Sequence, residues 1–377
     1  MKIGDWVDPA TRKVLAAGDW MDALAARPVI LLGETHSRNE DHRWQMQVLA
    51  AVHSRTPNLT IGFEAFPRRV QPVLGRWVAG ELSEGQFLAD VGWRDIWGFD
   101  SALYMPLFDF ARMNRIPMIA LNVERKLVSR VGRDGWETVP EDQREGVGNP
   151  ATPPAAYVES LGRVYAEHKK QKDAPPTSAD PEFAKFVQAQ LTWDRAMAEA
   201  IAAARTDRAD GPVVGIIGRG HLEYSYGVPH QLASLGINDV AVALTWTQDR
   251  DCAEMVADAE SPVADAVFAV AEEGDDSIKP KGPLLGVLIS ETKGGVRIDG
   301  VSEHSTAAEA GLKKGDVVTH AAGRAVAKPG ELALVIGRQP YGTWLPLGVL
   351  RAGEQIEIVA KFPARPHPPM KGPSPHR

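Results

Sequence analysis

Through residue 246 the chain alternates short apolar runs with longer stretches of helical period. The apolar runs are PVILLG (28–33), LTIGFEAF (59–66), IPMIALN (116–122), PVVGIIG (212–218) and DVAVALTW (239–246). They are rich in Val, Ile and Leu and lack strict alternation, the pattern of strands covered on both faces. Between them HRWQMQVLAAVHSR, YMPLFDFARMNR and FAKFVQAQLTWDRAMAEAIAAAR repeat their apolar residues at helical spacing. Strands alternating with helices predict an α/β fold: a mostly parallel sheet flanked by helices, with right-handed crossovers. Ligands of such sheets bind beyond the carboxyl ends of the strands.

Two intervals break the rhythm. Residues from about 135 to 185 form a polar, Pro-rich insertion around one helical piece, YVESLGRVYAEHKK. It is too long for a simple connection and reads either as a lid or binding element or as a solvated excursion. The stretch 271–283, within AEEGDDSIKPKGP, reads as a linker closing an N-terminal domain of residues 1–270. Beyond it, residues 284–363 change to short alternating strands: LLGVLIS, GVRIDGV, DVVTHAAG, WLPLGVL and QIEIVAKF. The tail, 364–377, cannot bury a core and is expected to be disordered.

Composition narrows the function. The 377 residues are 44% hydrophobic and 24% charged with a net charge of −7, typical of a globular protein, and no basic stripe points to nucleic acid. The single cysteine, Cys252, excludes an internal disulfide and any multi-cysteine metal site. No apolar run approaches the roughly 18 residues of a membrane span. MKIGDWVDPATRKVL has neither the apolar centre nor the cleavage site of a signal peptide.

Chemistry concentrates at the strand ends. Gly33-Glu34-Thr35-His36 follows the first strand, and Gly218-Arg219-Gly220-His221 follows the fourth. Glu64 ends the second. Asn122, Glu124 and Arg125 follow the third, and Glu223, Tyr224 and Tyr226 continue the loop after the fourth. These loops are expected to converge on one crevice, the glycines letting backbone pass close to a neighbour or ligand. Two Gly-x-x-His tetrapeptides, each after a buried strand, carry more weight than either alone. His36, His221, Glu64 and Glu34 supply nitrogen and oxygen donors for a divalent metal. Equally, the four could bond one another, the carboxylates raising the imidazole pKa values.

The ordered set VILLGETH, GFEAFPRRVQ, ELSEGQFLADVGW, ALNVERKLVSRVGRDG, FVQAQLTWDRAMAEAI and GIIGRGHLEYSYGVP resembles the ChaN family of haem-binding uptake proteins. That family lies in the Tiki/TraB/erythromycin-esterase superfamily. The second part, above all STAAEAGLKKGD, resembles a bacterial protease-associated PDZ domain. The first resemblance implies an iron-related envelope protein that binds haem, as a cofacial pair in a homodimer. It implies Tyr226 as axial ligand, with Tyr224 in reserve, since phenolate is a hard donor suited to ferric iron. His221 would stand nearby, Arg125 and Arg219 would meet the propionates, and Trp93, Trp97 and Phe99 would offer flat apolar surface or simply core packing. The PDZ resemblance implies capture of a partner's C-terminal peptide by strand addition. The loop Leu284, Leu285, Gly286 and Val287 would hold its carboxylate, and ELALVIGRQP would wall the groove.

Two departures qualify the first resemblance. Ser37 and Arg38 follow His36 where many members carry a carboxylate, and the lipid-anchor cysteine often found ahead of the domain is absent. The domain pattern starts almost at Met1, so a leader is expected to be missing or trimmed. A cell-envelope or periplasmic location follows if one was removed, and a cytoplasmic one otherwise. Two further readings stand beside haem binding. One is a metal-dependent hydrolase with Glu34 or Glu64 as general base on water held by His36 and His221. The other is a scaffold whose PDZ domain alone binds. No Gly-x-Ser-x-Gly elbow or dinucleotide fingerprint is present.

Overall fold

Eight strands of the N-terminal unit form one sheet in the computed structural model, which describes residues 1–169, 176, 180–207, 211–256, 261–271, 283–337 and 339–364. They are β1 (Trp6–Val7), β2 (Val14–Leu15), β3 (Val29–Glu34), β4 (Thr60–Pro67), β5 (Met118–Asn122), β6 (Val213–Gly218), β7 (Val240–Thr247) and β8 (Ala266–Val270). Helices α1 (Ala17–Ala25), α2 (Asn39–Arg55), α3 (Gln71–Val78), α4 (Glu84–Val91), α5 (Trp93–Ile96) and α6 (Ser101–Met113) precede β5. After β5 come α7 (Arg125–Asp134), α8 (Ala155–Lys169), α9 (Pro181–Asp207) and α10 (Val228–Ser234).

The sheet order is β2-β1-β8-β7-β3-β6-β4-β5. Every pairing from β8 to β5 is parallel, and β1 and β2 add an antiparallel edge. All five strands expected from the apolar runs are present, their bounds moved by a residue or two. Strands β1, β2 and β8 were not expected; the first two span two residues each, too short to leave a periodic signal.

Alternation within the strands divides the core. Ile30 and Leu32 pack with Trp44, Val48 and Leu49 of α2 and with Phe108 of α6 on one face. On the other, Val29 and Leu31 meet Met197 and Ile201 of α9 and Val228 and Leu232 of α10. Each such side chain removed from water contributes roughly 1.5–3 kcal/mol, so both faces must be covered and the strand ends are left for polar groups.

The insertion forms two short 3₁₀ turns and then α8. Helix α8 lies on α9 through Tyr157, Leu161 and Tyr165 against Phe183, Val187 and Leu191. Most of the 271–283 stretch, and the tail after Ala364, fall outside the described residues.

The chain divides into compact units at Met1–Glu273 and Gly274–Arg377. In the second, β9 (Val287–Thr292), β10 (Gly295–Val301), β11 (Val317–Ala321), β13 (Trp344–Arg351) and β14 (Glu354–Lys361) run β14-β13-β11-β10-β9, all antiparallel. Between them come α11 (Thr306–Glu309), the short β12 (Arg324–Ala325) paired with β11, and α12 (Pro329–Gly337). Strand β9 is an edge, and α12 packs on it. No helix of the described residues is long and apolar enough to cross a membrane.

Candidate functional site

Topology assembles the site. Strand β6 enters between β3 and β4, so the ends of β3, β6 and β4 are neighbours although their residues lie far apart in sequence. Glu34 ends β3 and Gly218 ends β6, paired in parallel register. Glu64 follows Phe63, the last β4 residue paired with β6, where the β4–β5 register also shifts. That irregularity turns the Glu64 carboxylate across the end of β6, where it accepts the Gly218 N–H at 2.5 Å. A Cβ on Gly218 would stand 2.7 Å from His36 Cε1 and 3.3 Å from Glu64 Oε2, so the bare backbone lets both groups close over it.

Glu34 is buried among three partners. Its Oε1 accepts the Tyr104 hydroxyl at 2.5 Å and lies 2.9 Å from His36 Nδ1, and its Oε2 stands 3.2 Å from His42 Nδ1. Burial opposes its charge, but the two imidazoles hold its carboxyl down at about 2. Burial likewise works against protonation of His36, yet Glu34 and Glu64 raise its pKa; His42 is raised by Glu34 in the same way. Tyr104, buried and facing Glu34, is pushed well above the ordinary phenol range. With Nδ1 tied to Glu34, His36 presents Nε2 toward the crevice, its ring flanked by Trp97 and Phe99 at centroid distances of 4.6 and 5.2 Å.

A second histidine–carboxylate pair faces the first. His221 Nδ1 lies 2.6 Å from Asp194 Oδ1, and its Nε2 is 3.7 Å from Glu64 Oε1. Asp194 is fully buried in α9, and Tyr157 of α8 donates to its other oxygen at 2.9 Å. Burial disfavours the imidazolium, but Asp194 and then Glu64 lift the His221 pKa to about 9. Burial, followed by Asp194, raises Tyr157 well above the ordinary phenol range.

Beyond His221 opens a cleft of about 360 Å³, walled by Tyr157 and Leu161 of α8, Phe186 and Trp193 of α9, and Tyr224 and Tyr226. Tyr224 and Ser225 hold left-handed backbone, φ 56° and 60°, unusual for side-chain-bearing residues. Tyr224 N–H bonds Val263 O and its hydroxyl donates to Glu254 O at 2.6 Å. Burial, then Glu223 and Glu254, raise its pKa. The Tyr226 hydroxyl makes no hydrogen bond among the described residues. A larger open depression, about 560 Å³, lies at the opposite strand ends beside Pro28 and Asp239, away from every motif.

The expected residues fare unequally. His36, Glu64 and His221 converge, and Tyr226 lines the cleft. Glu34 supports His36 through Oε1, with Oε2 beside His42. Arg219 is committed to Glu223 at 2.7 Å, and Arg125 is exposed at the start of α7; neither lines the cleft. Asn122 is spent on Glu64 O and Val123 N–H, and Glu124 pairs with Arg69. Trp93 is core. Gly220 faces open space, so no close approach requires it. Among the described residues no three His, Cys, Asp or Glu side chains are gathered as metal ligands. Sequence reasoning missed His42, Tyr104, Asp194 and Tyr157, the partners that hold the two histidine–carboxylate pairs.

In the second unit Gly286 has φ +81°, and a Cβ there would lie 2.3 Å from Ser305 Cβ. Leu285 is buried, its carbonyl accepting Ala307 N–H, whereas Leu284 is 71% exposed, so the four loop residues are not equivalent. Val287 and Ile289 turn toward the core beside α12.

These features define an α/β ligand-binding domain with a crevice beyond its parallel strands, joined to a PDZ domain. The chain belongs to the haem-binding uptake family ChaN of the Tiki superfamily, whose model matches residues 20–232, and a PDZ model matches 283–361. A solved structure described as cofacial heme binding to ChaN of Campylobacter jejuni is 16% identical. It covers 70% of this chain and 95% of that one with a TM-score of 0.53, a likeness of fold. Among curated proteins, the magnetosome formation protease MamE of Magnetospirillum gryphiswaldense is 43% identical over 60 residues, 16% of this chain and 8% of that protein. The periplasmic serine endoprotease DegP of Escherichia coli K12 is 38% identical over 64 residues, 17% and 14%. This chain thus spans only a small part of either protease.

Proposed function

We propose that the chain binds haem in the cleft between α8 and the loop after β6, with Tyr226 as axial ligand. The observation that carries this is the Tyr226 phenol, free of hydrogen bonds among the described residues and facing a cleft walled by Leu161, Phe186 and Trp193. The residues fit the group. Aromatic and apolar walls suit a flat macrocycle, phenolate suits ferric iron, and the volume lies within the roughly 300–1,000 Å³ of small-molecule sites. When bound, haem supplies an iron centre for transfer or electron exchange. Tyr226 would ligate, and His221 would present its imidazolium alongside. A haemin titration of the parent and of Tyr226→Phe, followed by absorbance, tests this. The expected result is a saturable Soret shift that is lost in the variant; a shift identical in the variant refutes the ligand assignment. Cofacial binding, described for the Campylobacter jejuni protein, would here add a dimer on haem loading and a split Soret circular dichroism band.

The PDZ domain, in the same proposal, docks an extended C-terminal peptide along β9 and sets the haem-binding domain beside an envelope partner. Support comes from the open edge of β9, the wall formed by α12 and the left-handed Gly286 in the loop that would turn N–H groups toward a carboxylate.

One arrangement favours a second reading, hydrolysis. His36 and His221 are each backed by a buried carboxylate, and Glu64 stands between them. A protonated imidazole and a carboxylate on opposite sides of a crevice can donate and accept protons at a scissile carbonyl. Glu34, held at about 2, is too weak a base for that role. Ester hydrolysis abolished by His36→Ala but untouched by Tyr226→Phe would establish this reading over the first.

A further inference from the structure

Three segments distant in sequence meet on one carboxylate. Asp194 of α9 accepts from Tyr157 of α8 on one oxygen and meets His221 on the other. Gly227, the residue after Tyr226, passes so close that a Cβ there would stand 2.9 Å from Asp194 Oδ1. Tyr226 itself packs on the apolar strip formed by Tyr157, Leu161 and Phe183, its ring centroid 6.2 Å from that of Tyr157. Such a strip holds a helix against its neighbour without fixing how far it slides or rolls, because apolar attraction has no direction. A hydrogen bond to a buried anion does have direction and is among the stronger kinds.

We propose that Tyr157 is a positioning residue for Tyr226: its hydrogen bond to Asp194 sets α8 in register with the loop 219–227, which fixes the depth and angle of the Tyr226 phenol in the cleft. The insertion then serves as the second wall of the ligand site, latched to the hub that also orients His221. The consequence for ligand rests on the haem reading above; the latch itself does not.

Tyr157→Phe removes only a hydroxyl from a buried ring and tests the latch in the full chain. Hydrogen–deuterium exchange without ligand reads the helix directly. Faster exchange across 155–169 is expected in the variant, and unchanged exchange there overturns the proposal. With haemin bound, transfer to an excess of apomyoglobin reads the phenol. Loss of one hydrogen bond to a charged partner predicts release about tenfold faster or more, with a displaced Soret maximum. Unchanged release and spectrum overturn the positioning role. Introduced into Asp194→Ala, which leaves no acceptor for the hydroxyl, the Tyr157→Phe change should add little, since the bond is already gone; fully additive effects would place Tyr157 outside the hub and refute the proposal. If the parent fails to bind haemin saturably, the haem reading falls, and the exchange experiment still decides the latch.

Discussion

Asp194→Asn removes one charge and almost no volume, so it isolates the electrostatics of the His221 pair. In the folded chain burial acts against the imidazolium, yet Asp194 at 2.6 Å, helped by Glu64, carries the His221 pKa from 6.5 to about 9. At about 1.4 kcal/mol per pH unit, that displacement makes the charged pair worth ~3 kcal/mol after its burial penalty has been met. Because the folded pKa is raised, this stability is fully present below pH 6.5 and is lost as pH rises through about 9. The Asn variant should therefore be less stable than the parent by ~3 kcal/mol at pH 6, and the gap should narrow steadily by pH 10. Two measurements check this: denaturant unfolding of both proteins across that range, and the ring Cε1–H resonance of His221 by NMR. The parent resonance should titrate near 9 and the variant at or below 6.5. A stability gap that does not change with pH, or a parent titration near 6.5, would show that Asp194 supports the fold by packing or neutral hydrogen bonding alone.

Three other outcomes follow from the same geometry. Glu34, held at about 2 against 4.5, contributes stability that is present above pH 4.5 and lost as pH falls through about 2. Acid unfolding followed by circular dichroism should lose that dependence in Glu34→Gln, which at neutral pH should cost roughly 3 kcal/mol. Gly218→Ala forces a methyl to within 2.7 Å of His36; a fall in thermal stability equivalent to about 1–3 kcal/mol and a displaced His36 resonance are expected. For the PDZ domain, fluorescence anisotropy should find amidated peptides bound at least about tenfold more weakly than the same peptides with a free carboxylate, the loss of a charge-assisted contact. Equal affinities would place the peptide elsewhere.

Periodicity reached the scaffold because burial on two faces writes itself into a strand as an unbroken apolar run, as in Val29 to Leu32. It reached β8 and the two-residue strands β1 and β2 poorly, since their pairing depends on neighbours brought in from the far end of the domain. Within the site, residues next to a strand end were legible: Glu34, His36, Glu64, His221 and Tyr226 all follow buried runs. Their supporting partners were not. His42 and Tyr104 sit inside amphipathic helices, where one polar residue on a buried face resembles any other. Asp194 lies in the middle of a 27-residue helix and Tyr157 in an insertion with no strand to mark its position. A single signal could have found Asp194: an acidic residue on the stripe that also carries Trp193, Met197 and Ile201 cannot be buried unpaired, and a histidine is the natural partner. Arg219 pairs with Glu223, four residues on, a local partner its spacing already offered.

The insertion of β6 between β3 and β4 explains why the two Gly-x-x-His segments belong to one site while doing different work. Parallel neighbours end at the same level, so the loops after β3 and β6 must share a surface. Their histidines are then anchored from opposite faces of the sheet, His36 by Glu34 with Tyr104 of α6 and His42 of α2, and His221 by Asp194 of α9. Three buried carboxylates, Glu34, Glu64 and Asp194, stand against three imidazoles whose pKa values are all raised. With those imidazoles protonated the crevice floor is close to neutral and has little to attract an anion. A ligand with carboxylates at its rim is thus better served by the outer cleft, where Tyr226 faces Leu161, Phe186 and Trp193, than by the floor between the histidines. The floor, in turn, is suited to holding the Tyr226 loop and His221 rigid, and the proposed ligation through Tyr226 would draw on that rigidity.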